Sequence, residues 1–97
     1  MNLENPEIWF LDKIKNQLPL YSLHKKSDDI YHVISYDFDV QDLEILKKNA
    51  EEVLLNLGFL IHNKIFIHTD YYVRIASFQI PSKRYKILLE LRIRRQQ

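Results

Sequence analysis

The sequence predicts a single α+β domain spanning residues 1–97, with an antiparallel sheet of about four or five strands, an N-terminal helix and a second helix packed across the sheet. Three observations carry this reading. Apolar residues recur at helical spacing in two separate stretches; after Gly58 the pattern switches to the two-residue period of strands; and the connections between those strands are short enough to join only antiparallel neighbours.

Asn5-Pro6 is a helix-start signal, because Asn caps free amides and Pro at the first helical position loses no hydrogen bond. The helix is predicted over about 6–18, with Ile8, Phe10, Leu11, Ile14 and Leu18 near one face, and Pro19 ends it. Leu18 to Leu23 reads as a short extended segment and His24 to Asp29 as a polar turn. From Ile30 to Val40 the residues alternate as a strand, and the even positions Ile30, His32, Ile34, Tyr36, Phe38 and Val40 are expected to face the core. Asp39 or Asp42 then caps a second helix, whose Leu43, Leu46, Ala50, Val53, Leu54 and Leu57 form one buried stripe. Gly58 follows where helices end in a left-handed residue. Strands are expected at Ile65 to His68, Tyr71 to Ile80 and Arg84 to Arg95, joined by turns at Thr69-Asp70 and Pro81 to Lys83.

Composition excludes several classes of chemistry. One glycine in 97 residues leaves no glycine-rich phosphate loop or dinucleotide fingerprint, and with that glycine ending a helix none remains for an active-site turn. The absence of cysteine excludes a disulfide scaffold, a thiolate zinc site, an iron–sulfur cluster and a cysteine nucleophile. No apolar run approaches the ~20 residues of a membrane span, and the N-terminus lacks the pattern of a signal peptide, so an intracellular protein without membrane contact is expected.

The net charge of +1 hides an asymmetry: residues 1–81 carry a net −4, whereas residues 82–97 carry +5. Arg84, Lys86, Arg92 and Arg94 fall on one face of the last strand, and with Arg95 they form a basic ladder. Its residues, with Tyr71 and Tyr72 as aromatic neighbours, are the expected contacts to a partner or a second subunit. Strands Ile65 to Ile67 and Tyr71 to Phe78 are apolar on both faces and need cover on both, which points to a homo-oligomer.

Other constellations carry less. His62, His68 and Asp70 lie within nine residues and approach one another if Asn63-Lys64 makes a turn, but they match neither the strand nor the helix spacing of paired metal ligands. Asp37, Asp39 and Asp42 have cation-binding chemistry, and read more simply as a solvated face ending in a helix cap. Neither a cofactor nor a metal is expected, and the chain is read as a structural protein rather than an enzyme.

The succession Ile30 to Val40, then Ala50 to Phe59, then a hairpin and a final basic strand resembles the small tail terminator or tail completion proteins of tailed bacteriophages. The resemblance covers about residues 30–95 and rests on the order of elements. It implies an α+β subunit that assembles into a ring, caps the last ring of the tail tube and joins it to the head connector. The partners would be other virion proteins, and the location the host cytoplasm or the virion. The alternative function is a small nucleic-acid-binding or inhibitory regulator that sets the basic strand against phosphates.

Overall fold

A computed structural model describes Asp12 and residues 21–93. Six strands form one antiparallel sheet: β1 (Tyr21–Lys25), β2 (Ile30–Ser35), β3 (Leu60–His62), β4 (Ile65–His68), β5 (Tyr71–Gln79) and β6 (Tyr85–Ile93), in the spatial order β1-β2-β6-β5-β4-β3. One α-helix, α1 (Leu43–Asn56), preceded by a short 3-10 turn at Val40–Asp42, connects β2 to β3 and packs across β5 and β6. The fold is therefore mostly sheet. It corrects the expected four or five strands and two helices to six strands with a single helix among the described residues. The first helix expected over 6–18 lies outside those residues, apart from Asp12, whose backbone is helical.

The two additional strands are the edges. β1 is the segment read only as extended, and it pairs with β2 from Tyr21↔Ser35 to Lys25↔Tyr31. β3 has three residues and was hidden because so short a run shows no period of its own. It closes a two-residue hairpin with β4 in which Asn63 (φ 51°) and Lys64 (φ 67°) both take left-handed backbone, the signature of a type I′ turn.

The core lies between α1 and one face of the sheet. The helix contributes Ala50, Val53 and Leu54; β5 and β6 contribute Val73, Ile87, Leu89 and Leu91, and Phe66 and Val33 flank them. Each fully buried Val, Leu, Ile or Phe among them is worth roughly 1.5–3 kcal/mol relative to exposure. The predicted stripe of α1 is the face that packs, with Leu43, Leu46 and Leu57 at its margins. Asp42 precedes the helix, but its carboxylate makes no capping hydrogen bond. At the other end Gly58 (φ 101°) donates to the Leu55 carbonyl at 3.0 Å, and Phe59 to that of Leu54 at 3.1 Å. These are the two reversed bonds of a Schellman motif, and the side chains of Phe59 and Leu54 are both buried beside it.

The face of β2 is the opposite of the one expected. Tyr31, Val33 and Ser35 are buried, whereas Ile30, His32 and Ile34 lie on the second face. Phe38 is buried too, although its number is even. A β-bulge reconciles them. Ile34 pairs with Leu88, a register that would bring Phe38 opposite Arg84, yet Phe38 pairs with Tyr85 through two bonds of 2.9 Å. One extra residue is thus accommodated after Ser35, and it flips every later side chain to the other face. At the break Ile87 N–H donates to Ser35 Oγ at 2.9 Å, so a side-chain oxygen stands in for the ladder carbonyl.

Candidate functional site

The basic ladder does not present a uniform charged row. Arg84 lies just before β6 and clamps the bulge: Nε donates to Asp37 Oδ2 at 3.1 Å, Nη1 to Asp39 Oδ1 at 2.6 Å and Nη2 to the Asp37 carbonyl at 3.4 Å. The aspartates read as a solvated face are thus paired with a guanidinium. Lys86 Nζ donates to the Ser35 carbonyl at 3.3 Å and lies directly across from Phe78. Arg92 stands across from Tyr72. Tyr71 is on the other face, at the margin of the core, so the two tyrosines do not form one surface. Arg94 and Arg95 lie outside the described residues.

On the second face, Glu90 occupies the centre of a small ionic cluster. Its ladder neighbours are His32 on β2 and Arg74 on β5. His32 Nε2 lies 3.2 Å from Oε2, and Arg92 Nε donates to Oε1 at 3.4 Å. Burial raises the Glu90 pKa, but the hydrogen bonds from His32 and Arg92 and the charges of both outweigh it, and the net shift is downward. With the carboxylate committed to these two, the Arg74 side chain has no ion pair or hydrogen bond among the described residues.

Beside this cluster lies an open groove of about 530 Å³. Among the described residues its apolar part is Ile65, Ile67, Tyr72 and Val73; its polar rim includes Arg74, Arg92 and His62. The Asn63-Lys64 turn forms as the histidine reading required, yet it separates the histidines. His62 pairs with Ile65, whereas His68 is three residues further along β4, on the face where its ring lies 5.1 Å from that of Phe59. Among the described residues no three His, Asp or Glu come together so as to hold a metal ion.

The same hairpin carries the most exposed apolar edge. All three residues of β3 are exposed, with Leu60 at 74% and Ile61 at 55% of full accessibility. Sequence reasoning did not single out Leu60, Ile61 or Arg74 as candidate site residues. The signal for the first two was present: two apolar runs, Phe59 to Ile61 and Ile65 to Ile67, flank an Asn-led pair. Arg74 carried none, since its freedom depends on which way Glu90 turns.

Comparison with protein-family models, curated proteins and solved structures returns no significant match. Among the described residues no helix is long and apolar enough to cross a membrane.

Proposed function

We propose that the chain is a structural, self-assembling protein whose subunits join through the outer edge of β3. The observation that supports this is the exposure of Leu60 and Ile61 on a sheet edge, two large apolar side chains pointing to opposite faces of one strand. A strand that is apolar on both sides is stable in water when a neighbour covers it, and such edges template pairing with another chain.

The hairpin sets the geometry of that pairing. In a two-residue hairpin the flanking pair, His62 and Ile65, is hydrogen bonded, so the next residue, Ile61, directs its own N–H and C=O away from β4. Two copies of β3 meeting antiparallel about a two-fold axis at Ile61 exchange those two bonds and bury both Ile61 and Leu60. The other edge, β1, exposes Ser22, His24 and Lys25, which match an apolar strand poorly. Pairing of β3 with β3 is therefore the favoured first contact over the head-to-tail contact that a tail-completion ring requires. An intracellular or virion setting belongs to the same proposal.

Because the chain has no cysteine, a single Ile61→Cys substitution tests the axis directly. Opposed residues of a hydrogen-bonded antiparallel pair have Cα atoms about 5.5 Å apart, within disulfide reach. Mild oxidation is expected to give a covalent dimer from Ile61→Cys and none from Ser22→Cys on the far edge. No dimer from Ile61→Cys, or equal yields from both, would overturn the proposal.

A further inference from the structure

We infer that the groove on the second face is a nucleotide-binding site, one that takes a planar base and its phosphate from a free mononucleotide or a single strand. The groove shares His62 with β3 but not the exposed apolar pair Leu60 and Ile61, so ligand binding there does not rest on self-assembly. The groove, at about 530 Å³, is within the usual range for a small-molecule site.

Charge selects the ligand's anionic part. Two guanidinium groups line the groove, Arg74 and Arg92, at diagonal ladder positions roughly 7–8 Å apart. The Arg74 side chain makes no hydrogen bond or ion pair among the described residues, and Arg92 commits only Nε to Glu90, so both terminal nitrogens of Arg92 remain to donate. Among the described residues the one carboxylate on the rim, Glu90, is already answered by His32 and Arg92. The local balance is therefore positive, and two forks on one groove at diagonal positions suit the several oxygens of a phosphate better than a single carboxylate.

The rest of the ligand is selected by the floor. Tyr72 with Ile65 and Ile67 offers an apolar, partly aromatic surface to a base, and at the rim the Asn63 amide, whose Nδ2 lies 3.3 Å from His62 Nε2, keeps its oxygen for a base edge. A second pairing of cation and ring, Lys86 across from Phe78, lies on the same face six residues along β5, roughly 20 Å away. A mononucleotide reaches only the first pair; a single strand lying along β5 meets both.

The test uses the whole chain at low salt, with fluorescein-labelled oligothymidylate followed by anisotropy and thymidine monophosphate as competitor. Oligothymidylate is expected to bind, with Arg74→Ala lowering affinity about tenfold and making the salt dependence shallower by about one unit. Arg74→Lys, which keeps the charge but not the fork, should recover part of the loss, and Lys48→Ala on the exposed side of α1 should bind like the parent. Displacement by the monophosphate assigns the site to mononucleotides, and retention of the oligomer assigns it to single strands. The inference is overturned if neither probe binds, if Arg74→Ala binds as tightly as the parent, or if Lys48→Ala weakens binding as much as Arg74→Ala.

Discussion

Ser35 and Ile87 meet at the end of β2, where the Ile87 amide donates to Ser35 Oγ at 2.9 Å inside the core. The amide keeps a partner there while the Ser35 carbonyl turns to Lys86. Ser35→Ala removes the acceptor and leaves a buried N–H unsatisfied, a loss of about 1–3 kcal/mol in denaturant titration. Ser35→Thr keeps the oxygen and should lose less.

Acid should weaken the fold partly through Glu90, whose pKa is lowered below its ordinary 4.5. A carboxyl lowered in the folded state adds stability that is complete above its unfolded value and is lost as pH falls through the lowered one. The parent should exceed Glu90→Gln by about 1 kcal/mol near neutrality, a figure kept small by the partial exposure of the cluster. The gap should close on the acid side of the carboxylate range. Equal acid sensitivity in the two proteins would show that the cluster contributes nothing.

Gly58→Ala should destabilise the chain by about 1–2 kcal/mol for a backbone reason. An added Cβ would stand 3.6 Å from the His68 ring, an ordinary contact, so the cost comes from φ 101°. Thermal unfolding of Gly58→Ala beside Gly58→Asn separates the two, because Asn tolerates left-handed backbone better than Ala while being larger. If the backbone sets the cost, the Asn variant is the more stable.

The β3–β4 turn makes the opposite prediction. Lys64 holds φ 67° at the second position of a type I′ turn, where glycine is preferred, and its side chain is exposed. Lys64→Gly should therefore raise stability by about 0.5–1 kcal/mol, seen as a higher denaturant midpoint at unchanged slope.

Where local chemistry decided the outcome, the sequence was legible. The stripe from Leu43 to Leu57, the stop at Gly58, the turn at Pro81 to Lys83 and the buried odd face of β6 each depend on residues within a few positions of one another. The face of β2 was not legible, because the bulge after Ser35 depends on a partner strand some fifty positions away and reverses parity between Val33 and Phe38. Of the basic ladder, charge could be read but not its use. Arg84 is taken up by Asp37 and Asp39, while Arg74, a residue with no pattern around it, has one charged ladder neighbour, Glu90, and that carboxylate is held by His32 and Arg92.

Self-assembly through β3 is tested most directly by absolute mass in solution, from light scattering on the eluting peak at micromolar concentration. A dimer or larger assembly is expected for the parent and a monomer for Ile61→Lys, which places a charge on the proposed axis without entering the core. A parent that elutes as a monomer, or an Ile61→Lys protein with the parent's assembled mass, would contradict it.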